Sequence, residues 1–92
     1  MTDRIRRRVV ATGHVQGVFF RQTCRRVARE TGVAGWIRNR EDGAVEAVFE
    51  GDPESVERMV RWAETGPRGA RVERLDVHEE LPEGLDIFDV TR

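Results

Sequence analysis

Ninety-two residues are room for one small domain, burying roughly 60–65% of its unfolded surface, and not for two. With 38% apolar and 36% charged residues, the composition is that of a folded domain and not of a disordered chain. A net charge of −1 argues against a general nucleic-acid binder, and with no signal-peptide pattern and no apolar run near about 18 residues the chain reads as cytoplasmic, with no membrane contact.

Residues 4–12, RIRRRVVAT, alternate as a half-buried strand does. Ile5, Val9 and Ala11 share one face, with Arg7 as an intruder. Arg4, Arg6 and Arg8 share the other, where a solvated charge balance with Glu46 and Glu50 is expected. Residues 13–21, GHVQGVFFR, then form a loop bracketed by Gly13 and Gly17. Glycine admits positive φ, so several N–H groups can turn toward one point. The loop ends at Arg21, a permanently charged planar fork suited to phosphate. A helix start behind it adds free N–H groups and the positive end of a dipole. Such a convergence describes a cradle for a small dianion.

Within 21–32, Cys24, Val27, Ala28 and Thr31 recur at helical spacing, and Gly32 stops the helix. Residues 33–39 read as a second strand, with Val33, Gly35, Ile37 and Asn39 on one face. Glu41-Asp42-Gly43 is hairpin chemistry. Residues 44–50 make a third strand, with Val45, Ala47 and Phe49 inward and Glu46 and Glu50 outward. Asp52 is placed to cap a second helix opened by Pro53 and ended by Gly66-Pro67. Val56, Met59, Val60 and Ala63 form its apolar stripe, and Glu57 and Arg61 are spaced as an ion pair. Residues 70–79 are a fourth strand, whose broken alternation predicts a bulge near Arg74. Residues 85–90 read as a last short strand.

The order β-α-β-β-α-β-β over residues 1–92 predicts one α+β domain. It is a ferredoxin-like split β-α-β sandwich: a mostly antiparallel sheet, both helices on one face, and a short extra C-terminal strand. A crossover makes its two strands parallel, so the carboxyl ends of 4–12 and 33–39 lie at one edge of the sheet. The loop leaves the first end and Asn39 sits at the second. Topology thus brings Arg21 and Asn39 to one edge.

Together Gly13-His14-Val15-Gln16-Gly17-Val18-Phe19-Phe20-Arg21, Gly35-Trp36-Ile37-Arg38-Asn39 and Asp42-Gly43-Ala44-Val45-Glu46 resemble the acylphosphatase family over nearly the whole chain, with Gly66-Pro67 also in place. The resemblance implies a metal-free, cofactor-free enzyme that hydrolyses acyl phosphates to a carboxylate and inorganic phosphate. It implies that Arg21 binds the phosphoryl group and that Asn39 positions the attacking water. The phosphate-binding loop is then Val15, Gln16, Gly17, Val18, Phe19, Phe20 and Arg21. The implied partner is a small-molecule acyl phosphate; a free-standing protein, and by default a monomer, is expected. Leu85 departs from the family, which more often has phenylalanine there; this concerns packing of the last strand.

Other residues carry plainer expectations. Cys24, the only cysteine, excludes an internal disulfide and reads as core, not as a nucleophile. His14 and His78 lack metal-ligand spacing and read as solvated. Phe19 and Phe20 read as core anchors under the loop, and Trp36 and Trp62 as packing residues. All 16 basic side chains are arginine, which a GC-rich genome or an adaptation to heat or salt would explain. Two other functions compete. A phosphate-sensing module would need the arginine but not the asparagine. An RNA-recognition domain would need exposed aromatics on its central strands, which this chain lacks there.

Overall fold

The two sequence periodicities, about 2 residues in strands and 3.6 in helices, recur in the computed structural model, which describes residues 3–91. The elements are β1 (Ile5–His14), α1 (Phe20–Thr31), β2 (Ala34–Asn39), β3 (Val45–Gly51), α2 (Pro53–Thr65), β4 (Arg71–Glu80) and β5 (Phe88–Val90). They build the expected α+β sandwich. The sheet runs in the order β4-β1-β3-β2-β5. β3 is antiparallel to both β1 and β2, so those two strands run the same way. β4 pairs antiparallel with β1, and β5 pairs parallel with β2.

One face of the sheet is apolar and carries both helices. Val9, Ala11, Ile37, Val45, Ala47 and Phe49 meet Cys24 and Ala28 of α1 and Val56, Met59 and Ala63 of α2. Each large apolar side chain buried here contributes about 1.5–3 kcal/mol by its removal from water. Phe88 of β5 stacks on Phe49 with ring centroids 6.0 Å apart. Gly32 ends α1 as expected, in a left-handed conformation, donating its N–H to the Ala28 carbonyl at 2.9 Å.

The predicted bulge is present. Thr12 pairs with Arg74 but Gly13 pairs with Val72, so Glu73 has no partner in the ladder. Gly13 permits this: a Cβ there would lie 2.3 Å from the Arg71 carbonyl oxygen. Asp52 stands before α2 but makes no side-chain cap. It starts the helix through its own carbonyl, which accepts from Val56 N–H at 2.9 Å. The i,i+4 ion pair found among the described residues is Arg26–Glu30, at 3.3 Å, and not Glu57–Arg61.

The opposite face corrects the expectation of a solvated balance. Glu46 and Glu50 do face the arginines, but Arg6 (5% exposed), Glu46 (7%) and Glu50 (0%) are buried. Arg6 donates to Glu80 at 2.8 Å and to Glu50 at 3.3 Å. Arg8 donates to Glu80 at 2.8 Å and to Glu46 at 3.3 Å, and Arg38 donates to Glu46 at 2.8 Å. Glu50 also accepts the backbone N–H groups of Glu83, Gly84 and Leu85 at 2.9, 2.7 and 2.8 Å. That explains a second difference. The last strand begins at Phe88 and not at 85, because the Gly84 and Leu85 amides turn to a carboxylate and not to β2.

Burial alone would raise the Glu50 pKa from its usual 4.5, but the Glu83, Leu85 and Gly84 amides and the Arg4 guanidinium hold it down at about 2. The Arg6 and Arg8 guanidiniums likewise lower that of Glu80. The unfolded chain therefore takes up these protons first as pH falls. The stabilisation is fully present above pH 4.5 and is lost as pH drops toward 2. Circular-dichroism melts should show Tm falling across this window. Glu50→Gln should cost stability at neutral pH, by the ~3–5 kcal/mol typical of breaking a buried ion pair, read as a lower Tm, and flatten the acid slope. An unchanged acid slope in that variant would remove Glu50 as its source.

Candidate active site

Between the end of β1 at His14 and the start of α1 at Phe20 the backbone turns sharply. Gly17 (φ 74°) and Phe19 (φ 60°) both take positive φ. At Gly17 a Cβ would meet no atom within 4 Å, so glycine is needed there for its conformation and not for space. At Phe19 the left-handed backbone costs about 1–2 kcal/mol, because a side chain is present. The ladder of α1 opens with Thr23 N–H donating to the Phe19 carbonyl at 3.1 Å. The amides of Phe20, Arg21 and Gln22 come before that ladder and have no helical acceptor.

The loop is held from two sides. Val15 and Phe20 are buried at 1% and 4% exposure, and Val18 packs against the same core. The Phe20 ring meets Trp62 edge-on, with centroids 5.3 Å apart. On the other side the Gln16 amide Nε2 donates to the Arg40 and Ala44 carbonyls at 2.8 and 2.9 Å. Those carbonyls belong to the β2–β3 hairpin, which closes through Arg40 N–H to Ala44 C=O at 2.8 Å and Ala44 N–H to Asp42 Oδ1 at 3.1 Å. Asn39, paired with Val45, stands at the base of that hairpin. Gln16 thus ties the loop to the strand end that carries Asn39.

A cavity of about 160 Å³ lies at this junction, lined by Val15, Gly17, Phe19, Phe20, Arg21, Gln22 and Asn39. Arg21 and Asn39, 18 residues apart, line one space. Two residues of the predicted loop do not line it: Gln16 sends its side chain to the hairpin, and Val18 turns to the core. Gln22 lines it although the sequence reading stopped at Arg21. The available signal was its place in the first helical turn, whose amides lie outside the helix ladder. Phe19 reverses its expectation: it is 74% exposed and is no core anchor, whereas Phe20 is one.

The charge environment suits an anion. Among the described residues Arg21 takes part in no salt bridge, whereas Arg6, Arg8 and Arg38 are all engaged by carboxylates. Cys24, one turn into α1, is fully buried, and burial pushes its thiol pKa up. It is the core residue expected and is no nucleophile. His14 and His78 are exposed. Trp62 supports the site through Phe20, and Trp36 lies on the ionic face beside Arg38.

Residues 7–90 match the family model described as Acylphosphatase. The chain is 52% identical over 92 residues to the acylphosphatase of Natronomonas pharaonis, with both chains covered completely. The chain belongs to the acylphosphatase family. Two solved acylphosphatase structures are similar to it. That from Coxiella burnetii has a TM-score of 0.92 at 34% identity, with 97% of this chain and 94% of the other covered. That from Bacillus subtilis also has a TM-score of 0.92, at 31% identity, with 96% and 99% covered.

In this acylphosphatase, Gln16→Ala should remove two hydrogen bonds that join loop and hairpin. The expected loss of stability is about 1–3 kcal/mol, at about 0.5–1.5 kcal/mol net per bond. Denaturant unfolding measures it. Stability equal to that of the wild type would show that the tie is not needed to hold the two segments.

Proposed function

We propose that this acylphosphatase hydrolyses the carboxyl-phosphate bond with Arg21 and the loop 15–21 binding the phosphoryl group and with Asn39 positioning the attacking water. The observation that carries the reading is that an arginine without a carboxylate partner among the described residues, an asparagine and the start of α1 line one cavity. Arg21 can hold two phosphoryl oxygens through parallel charge-assisted bonds. The amides of the loop and first helical turn can hold the third oxygen, as a backbone nest does.

The chemistry asks little more of the protein. The transition state of phosphoryl transfer is loose, with charge spread over the equatorial oxygens. The water oxygen bonds to phosphorus as the bond from phosphorus to the acyl oxygen breaks. The carboxylate leaves with the electron pair of that bond and needs no proton. The water's proton passes to a phosphoryl oxygen. Asn39 is neutral: its amide oxygen accepts from the water and its NH₂ donates, so it orients the nucleophile without acting as a base. The reading takes the protein as a cytoplasmic monomer acting on a small-molecule acyl phosphate with no metal or cofactor.

Benzoyl phosphate hydrolysis in the presence of EDTA tests these roles. Arg21→Gln should lose both phosphate binding and turnover. Asn39→Ala should lose about 10²–10³ in kcat, the scale for one preorganised hydrogen-bonding group, while inorganic phosphate still competes. Near-wild-type turnover by Asn39→Ala would refute the water-positioning role. A pH–rate profile set by a side-chain base near neutrality would refute the proton route.

A further inference from the structure

Two adjacent phenylalanines meet opposite fates at this site. Phe20 is 4% exposed and packs on Trp62, while Phe19 is 74% exposed and lines the cavity. Phe19 is also the one non-glycine residue with positive φ among the described residues. Glycine or asparagine would take that backbone more easily, and neither would leave a phenyl ring in water. Nothing in the core or in the turn calls for an aromatic side chain there. Leu81 and Ile87 are also exposed, but they lie in the segment between β4 and β5 and do not line the cavity.

The cavity adds a second observation. At about 160 Å³ it falls well below the roughly 300–1,000 Å³ of pockets that enclose a drug-sized ligand. It has the capacity for the phosphoryl end of a substrate and leaves the acyl body at the rim. Arg21 is the one charged residue in its lining, so an acyl body bearing a second phosphate finds no second cation there.

Resting on the phosphate-binding reading of Arg21 and Asn39, we infer that the Phe19 ring is the acyl-group contact. It biases this enzyme toward acyl phosphates with an uncharged apolar or aromatic acyl body. An offset or edge contact with an aryl group removes apolar surface of both partners from water.

The test compares kcat/KM for benzoyl and acetyl phosphate in the wild type, Phe19→Ala, Phe19→Leu and Phe19→Asn. The readout is the benzoyl-to-acetyl ratio relative to that of the wild type. Leaving-group chemistry cancels in this comparison, and so does any loss of folded protein. The ratio should fall roughly 3–10-fold in the alanine and asparagine variants, the scale of one aromatic pair, and less in the leucine variant. Most of the change should appear in KM for benzoyl phosphate. A ratio that stays at the wild-type value in Phe19→Ala and Phe19→Asn, with both substrates still hydrolysed, overturns the inference and leaves the roles of Arg21 and Asn39 standing. A wild type that hydrolyses neither substrate overturns both.

Discussion

β3 lies between β1 and β2 and is antiparallel to each, and the site follows from that arrangement. Two strands that flank a common antiparallel neighbour must run the same way, so their carboxyl ends meet at one edge. The loop that ends in Arg21 leaves one of those ends, and Asn39 closes the other. Strand pairing alone aligns them only coarsely. The Gln16 side chain refines the arrangement by donating to two hairpin carbonyls, which pins the loop to the strand end it must face. The loop that ends in Arg21 and the strand end that carries Asn39 are joined by hydrogen bonds as well as by topology.

The two faces of the sheet solve different problems. The helical face is apolar and supplies the hydrophobic core. The other face carries a row of arginines and glutamates that cannot be left half-paired, since an unpartnered buried charge costs several kcal/mol. Here the planar fork of arginine matters. Arg6 engages Glu80 and Glu50, and Arg8 engages Glu80 and Glu46. A single ammonium has no such fixed fork. Glu50 extends the network into the backbone by accepting three amides from residues 83–85, and so fastens the chain that leads into β5.

At the active-site edge several unusual features occur close together. An arginine outside any salt bridge among the described residues, helix amides outside the ladder, a phenyl ring in water and a left-handed non-glycine backbone occur within residues 19–22. The exposed ring and the left-handed backbone each carry a free-energy cost. Strain and unpaired donors that persist in one small region are characteristic of preorganised sites.

Local chemistry made much of the molecule legible in advance. Period-two and helical patterns located every strand and both helices, the broken alternation near Arg74 marked the bulge, and crossover topology placed Asn39 beside the loop. Local pattern could not reveal burial created by distant segments. Arg6, Glu46 and Glu50 read as outward residues, and they are outward from the apolar core, yet Glu80 engages Arg6, the amides of residues 83–85 engage Glu50, and Arg8 and Arg38 flank Glu46. Nor could it tell Phe19 from Phe20, because a single left-handed residue decides which ring enters the core. Hydrophobic period and glycine placement are properties of neighbouring residues, so the sequence by itself determined element order, fold class and the position of the glycine-bracketed loop. Only the tertiary structure decided the buried ion network, the Gln16 tie, the Gln22 contribution and the exposed ring, because each depends on groups that folding alone brings within hydrogen-bonding or packing distance.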